Sequence, residues 1–429
     1  MCTPLMQGIK AAALVISLLT ASAGGMVGEM PRSSDYGYSY YADIIAAPAS
    51  HVYERELTAE GMGLDHFGSL EDMDTDTHGN LFILDASSGR LVRLNAEFER
   101  TAVIDRFQWN GTEQTFSGPK GVSCGADGRI YVADTQNGRI VVFNEELECV
   151  DVIGAPALEE AQYDYEYLPS KVEADSEGRM YVVSENQTQG IFQFDRNGVF
   201  MGYFGAAKVE PNLSELFFRL FASREQLQGM LQFIPTEYSN ITLDGSNFLY
   251  GTVASVDSWD ILSDIQSRTA SVNPIRRLNQ KGVDILILDG AYPPVGDLSF
   301  TASNASYEGA STFVDVAVYR NGIYSVLDSK RGRIFTYDDQ GNLMYLFGGR
   351  GEEKGMFLNP TAILYLNDRI LVADKGTGTI QMFAPTVYAQ KLMTGIALYQ
   401  AGEYEAEREV WQSVLELYPG CALANSGIG

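Results

Sequence analysis

The chain has little of what reactive chemistry usually draws on. It holds three histidines, four cysteines and three tryptophans in 429 residues. His51, His66 and His78 all fall near one end, so imidazoles cannot ring a site, which argues against zinc chemistry. Cys2 sits in the leading segment. Cys124, Cys149 and Cys421 are odd in number and lack metal-ligand spacing. Cys124 and Cys149 fall on the first and last strands of one repeat unit, roughly 14 Å apart at ordinary strand spacing, too far for a disulfide. All three read as free, small apolar side chains. Basic residues are also scarce. There are 30 Lys and Arg against 56 Asp and Glu, a net charge of -26 and a pI near 4.4. A surface of that sign repels phosphate and excludes nucleic acid as a partner. No Ser or Cys nucleophile elbow and no phosphate loop is present.

What is present is apolar and aromatic, at 45% and 11% of the residues, ample for a packed core. The first residues read as a processing segment. Lys10 precedes the apolar run Ala11 to Leu19, and Ala21-Ser22-Ala23 forms a small-residue cleavage site. The run is too short to span a bilayer comfortably, so residues 1–23 are expected to be a secretory signal cleaved near Ala23. Its removal takes away one positive charge, Lys10, and no other stretch is long and apolar enough to cross a membrane. Residues 24–50 are rich in Tyr and Ser and read as an extended lead-in, with structured sequence starting near His51.

One phrase then recurs. Arg129-Ile-Tyr-Val-Ala-Asp134 returns as Asn80-Leu-Phe-Ile-Leu-Asp85, Arg179-Met-Tyr-Val-Val-Ser184, Ile323-Tyr-Ser-Val-Leu-Asp328 and Arg369-Ile-Leu-Val-Ala-Asp374, with a weaker copy at Asn247–Thr252. A fixed period means one supersecondary unit stacked on copies of itself. Each unit reads as four short strands between turn signals, as in Gly118–Cys124, Arg129–Asp134, Arg139–Phe143 and Glu148–Ile153. Six units start near residues 66, 117, 168, 235, 311 and 358. The pattern predicts an all-β chain, a six-bladed β-propeller over residues 51–385. The sixth unit lacks a fourth strand, and His51–Leu57 has the character of one. Ring closure by the N-terminal strand leaves no sheet edge open.

Two insertions break the period. Leu213–Gln232 has apolar residues at helix spacing and is expected to be a helical excursion. Its aromatics Phe217, Phe218 and Phe221, with Tyr238, are candidate binding residues on an exposed surface; a helix covering a blade edge is the plainer alternative. Tyr292 to Gly309 is a long loop and a second candidate contact surface. From residue 386 the period becomes helical: Val387–Tyr399 is one helix, Tyr404–Leu417 a second ended by Pro419, and Cys421–Gly429 begins a third.

Phe347-Gly-Gly-Arg to Pro360, followed by Arg369–Asp374 and Thr379–Phe383, resembles an NHL repeat, and Ser117–Val142 is similar. The resemblance extends over residues 66–385 and departs at the fourth unit, which has no Asp closing its second strand. Residues 386–429 resemble a partial tetratricopeptide repeat through Gly395, Gly402, Tyr404, Trp411, Val414 and Pro419; Glu407 stands where that family carries a small residue. One such repeat cannot bury its own faces, so it is either an array cut short or a unit packed on the propeller. The combination resembles exported bacterial proteins of the cell envelope.

Asp85, Asp134, Asp328 and Asp374 close second strands, and Arg90, Arg139 and Arg333 follow three of them by five residues. A recurring pair is expected to be structural, the carboxylate accepting turn N–H groups and an Arg bond; a carboxylate ring holding a cation is the competing reading. No catalytic or metal-binding residue is assigned. The expected function is an exported, non-catalytic interaction scaffold with a protein partner in the cell envelope and no cofactor. The alternative is a Ca2+-dependent propeller hydrolase of sugar lactones or related small esters. A carbohydrate-binding propeller would stack sugars on Trp109 or Trp259.

Overall fold

Six antiparallel sheets follow one another along the chain, each begun by a strand at the start of a repeat. The computed structural model describes residues 35–38, 44–157, 166–185, 187, 189–205, 237–253, 256–267, 269, 271–288, 290, 292–300 and 307–428. Within them the fold is a six-bladed β-propeller with a few C-terminal helices. The chain divides into two compact units, residues 71–254 with 276–285, and residues 1–70, 255–275 and 286–429.

The first of these units carries blades one to four. Blade two shows why the repeated phrase is apolar throughout. Its strand Ile130–Asp134 is buried at every position. Side chains alternate across a strand, and here each face meets a neighbouring sheet. Ile130 and Val132 pack with Phe82, Leu84 and Leu91 of blade one. Tyr131 and Ala133 pack with Val172, Val182 and Phe192 of blade three. Each buried Val, Leu, Ile or Phe contributes about 1.5–3 kcal/mol relative to exposure. Blade four departs from the four-strand expectation: Tyr238–Leu243, Leu249–Val253 and Ile275–Leu278 form three strands, followed by an isolated bridge from Leu278 to Asp284. Helix α1 (Ser258–Ser267) occupies the space in the chain between the second and third.

The other unit carries blades five and six, the lead-in and the helices. The lead-in is not merely extended. Strands β1 (Tyr36–Tyr38) and β2 (Ile44–Ala46) pair as a hairpin, with Tyr36 opposite Ala46 and Tyr38 opposite Ile44. Strand β3 (His51–Thr58) completes blade six. It pairs antiparallel with Thr379–Pro385, from Thr379 opposite Thr58 to Pro385 opposite His51. Its exposed run Glu54, Arg55 and Glu56 leaves a charged outer edge, which discourages further strand pairing. His51 is buried, stacked 4.6 Å from Phe347, and burial pushes its imidazole down to about 3.

The strand of blade six runs directly into α2 (Val387–Ala401), antiparallel to α3 (Tyr404–Leu417), with α4 (Ala422–Ile428) following. Thr386 caps α2 by accepting from the Ala389 N–H, and Gly402 ends it in the left-handed region, donating to Leu398 and Tyr399 carbonyls. Trp411 fills the seam. A Cβ on Gly395 would lie 2.6 Å from its ring, so this position admits only glycine. Glu407 is used rather than tolerated, because its Oε1 accepts the Trp411 indole N–H at 2.7 Å. The helices cover blade five: Ile323, Met344 and Tyr345 share one apolar cluster with Tyr388, Leu392, Trp411 and Cys421. Asn321 and Gln400 exchange two 2.8 Å hydrogen bonds across the same contact.

Deleting residues 51–58 exposes the Thr379–Pro385 edge. The expected loss in calorimetric midpoint is about 10 °C or more; an unchanged melt would refute closure by this strand. Docking of the helices predicts resistance to limited proteolysis around Pro385, and rapid cleavage there would show them to be loosely held.

Candidate functional site

The β1 strand alternates, so Tyr36 and Tyr38 share a face, and both are buried. Both hydroxyls converge on one carboxylate. Tyr36 donates to Asp297 at 2.6 and 2.7 Å, and Tyr38 at 2.5 Å. Burial first, and the Asp297 charge second, push both phenols well above their ordinary range, so both stay protonated and act as donors. Asp297 also ion-pairs with Arg333 at 3.5 Å, whose guanidinium lies 4.7 Å from the Tyr36 ring centre. The Asp297 N–H donates to Ser311 Oγ, which donates on to Asp328. Buried charges stand only when paired and hydrogen-bonded, and this one is.

Between the hairpin, the outer strand of blade five (Leu343–Gly348) and the helices lies a cavity of about 380 Å³. Tyr36, Tyr38 and Tyr292 form one wall, Leu343, Met344 and Tyr345 another, and Tyr388, Tyr418 and Cys421 a third. Tyr38 and Tyr292 stack at 4.4 Å, with Tyr292 donating to the Gly296 carbonyl. Tyr388 is buried, and its hydroxyl donates a long hydrogen bond, 3.9 Å, to Cys421 Sγ. No lining side chain carries a charge.

A second polar grouping lies on the inner strands of blades one to three. Lys171 pairs with Asp72 at 3.1 Å, and Asp72 also accepts the Val122 N–H. Asp74 accepts from Cys124 and Thr75, and Ser123 donates to Glu173. Burial pushes the Asp74 carboxyl up to about 7, against its two backbone donors, with Asp72 and Asp76 adding to the rise. These groups bond one another and backbone N–H. Among the described residues no three His, Cys, Asp or Glu side chains gather as a metal site.

The repeat carboxylates Asp85, Asp134, Asp328 and Asp374 are fully buried. Asp134 accepts the Ser117 N–H, Asp328 the Thr312 N–H, and Asp374 the Leu358 and Asn359 N–H groups. Each thereby ties down the loop that enters its own blade. Arg90 pairs with Asp85 at 3.0 Å and Arg139 with Asp134 at 2.8 Å. Arg333 departs from the expected repeat pairing: it reaches Asp297, and Arg331 takes the place beside Asp328 at 3.6 Å. The loop insertion after blade four supplies Asp297 and so draws that arginine away.

Phe217, Phe218 and Phe221 lie outside the described residues, as does the Leu213–Gln232 segment. Tyr238 is not a surface residue: it is buried in the first strand of blade four, and its hydroxyl donates to the Gly205 carbonyl at 3.2 Å. The Tyr292–Gly309 loop is likewise in part buried, through Tyr292, Val295 and Asp297. Trp109 packs partly into the core between blades one and two, whereas Trp259 is exposed and stacked 4.5 Å from Phe300. Tyr292 and Asp297 stand in the loop expected to be a second contact surface, but neither carries a repeat signature that marks it as an anchor for the hairpin. The alternation Tyr36-Gly-Tyr38 was the available signal for a docked strand.

Residues 116–143 match the NHL repeat family. No curated protein sequence matches the chain. Solved structures that resemble it include a virginiamycin B lyase from Staphylococcus aureus, at 11% identity, covering 77% of this chain and 98% of that one, with a TM-score of 0.45. A protein of unknown function from Bacteroides thetaiotaomicron is similar at 11% identity, covering 84% of each chain, with a TM-score of 0.48. An auxiliary nutrient binding protein from the same organism is similar at 13% identity, covering 75% of this chain and 70% of that one, with a TM-score of 0.43. At such scores no activity carries over from any of them.

Two outcomes test the geometry. Asp297→Ala leaves Arg333 buried without its carboxylate and is expected to cost about 3–5 kcal/mol, read as a lower urea midpoint; an unchanged midpoint would mean the hairpin is anchored elsewhere. For Asp74, the folded chain holds a proton between about pH 4 and pH 7 that the unfolded chain has released. This contribution is present below the unfolded value and is lost as pH rises through 7. Asp74→Asn should therefore narrow the difference in urea midpoint between pH 5 and pH 8, and an unaltered difference would contradict the raised carboxyl.

Proposed function

We propose that the chain is an exported, non-catalytic binding scaffold, in which the propeller presents a recognition site to a protein or ligand of the cell envelope. The observation that carries this reading is the uncharged cavity of about 380 Å³ where the hairpin, blade five and the helices meet, a volume in the range of ligand sites. The helices act as a single tetratricopeptide-like unit, matched to blade five instead of to further repeats. Residues 1–23 act as the export signal. Three features support binding over catalysis. The repeat carboxylates are occupied in holding loops. Asp72 and Lys171 neutralise each other. The three histidines offer no common site: His51 is buried in a stack, and His66 and His78 are exposed. Among the described residues no helix is long and apolar enough to cross a membrane.

The purified chain is expected to leave neutral sugar lactones unhydrolysed in the presence of Ca2+. Turnover that disappears in Asp72→Ala or Asp74→Ala would replace the scaffold with the hydrolase. Export is tested separately by N-terminal sequencing of the chain made in a secreting host: a start at Gly24 is expected, and a retained Met1 would contradict it.

A further inference from the structure

The geometry points to a specific ligand class for the cavity: an uncharged, flat aromatic molecule carrying one hydrogen-bond acceptor. This rests on the reading of the chain as a binding scaffold and adds what is bound. Charge decides first. The chain has 56 acidic residues, yet none of them, and no Lys or Arg, lines the cavity. An ion entering it would lose hydration with no counter-charge to replace it, so ionised ligands are discriminated against. Shape and surface come second. Tyrosine rings dominate the lining, and ring faces and edges favour flat aromatic partners through offset or edge-on contact.

The third element is the Tyr388 hydroxyl. Its ring is 5% exposed. Among the described residues its hydroxyl donates to the Cys421 sulfur at 3.9 Å, and sulfur is a weak acceptor. Burial first, and Cys421 after it, hold the phenol above its ordinary range, so it stays protonated. A buried O–H donor with so poor a partner gains from a ligand carbonyl or ether oxygen. Among the other hydroxyls of the lining, those of Tyr36 and Tyr38 are committed to Asp297 and that of Tyr292 to the Gly296 carbonyl, that of Tyr345 sits against Thr336 and Tyr365, and the half-buried Tyr418 and the exposed Ser426 are open to water. Tyr388 is thus the donor that sets orientation, with Ala422 and Ser426 exposed at the rim.

The test is calorimetric titration of the purified chain with 2-acetylnaphthalene, 2-ethylnaphthalene and 2-naphthoate. The ketone should bind one-to-one, and the carboxylate at least about tenfold more weakly, a difference near 1.4 kcal/mol. Tyr388→Phe should weaken the ketone several-fold and leave the ethyl compound unchanged. Ala422→Trp should block both, with Ser426→Trp as a second rim variant should the first fail to fold. No saturable binding, naphthoate binding as tightly as the ketone, or unaltered binding in a folded rim variant would overturn the inference. An equal effect of Tyr388→Phe on ketone and ethyl compound would remove the hydroxyl from recognition. Absence of binding with lactones still untouched defeats only the ligand class, whereas lactone turnover defeats the scaffold reading whatever the naphthalenes do.

Discussion

The antiparallel pairing of His51–Thr58 with Thr379–Pro385 is the constraint on which the other features of its unit depend. It joins sequence positions more than 300 residues apart, at a loop-closure cost that grows only slowly with length. It also sets the ends of two other segments. The hairpin must arrive at His51 from one side, and α2 must leave Pro385 on the other. Thr386 records that meeting: its N–H donates to the Ser50 carbonyl and its hydroxyl to the Ala49 carbonyl, while the same oxygen caps α2. The hairpin that precedes His51–Thr58 and the helices that follow Thr379–Pro385 then supply two walls of the tyrosine-lined cavity, and the outer strand of blade five supplies the third.

Two kinds of buried polar group serve different ends. Those belonging to the repeat, such as Asp134 with Ser117 N–H and Arg139, are local in sequence and recur because each blade has the same loop to hold. Those outside the repeat, such as Asp297 with Tyr36, Tyr38 and Arg333, are single and long-range. The first kind gives rigidity to a common frame. The second kind attaches a segment peculiar to this chain, and a peculiar segment is where specificity resides in a fold that hosts many functions.

This division also explains what was readable beforehand. Blade number, closure and the strands outside blade four followed from the repeated phrase and from a spare strand before the first unit, because period-2 apolar patterning and turn residues are local signals. The C-terminal helices were equally plain from their spacing and from Gly402 and Pro419, whereas α1 (Ser258–Ser267) was not. The cavity was not. Its anchor pairs Tyr36 with Asp297, 261 residues away, and no pattern within either segment specifies the other. Arg333 sits at the repeat position of Arg90 and Arg139, so its diversion could be seen only once Asp297 was placed. Tyr238 looked like part of an aromatic insertion and instead begins a blade, since it stands at the boundary where an irregular segment becomes a strand.

Hydrogen exchange of the intact chain with and without saturating 2-acetylnaphthalene bears on the whole arrangement at once. Slowed exchange confined to Tyr36–Tyr38, Leu343–Tyr345 and the Tyr388 and Cys421–Leu423 segments would establish that hairpin, blade and helices form one ligand site. Slowing in other segments, or in one of these walls alone, would show that the three do not act together.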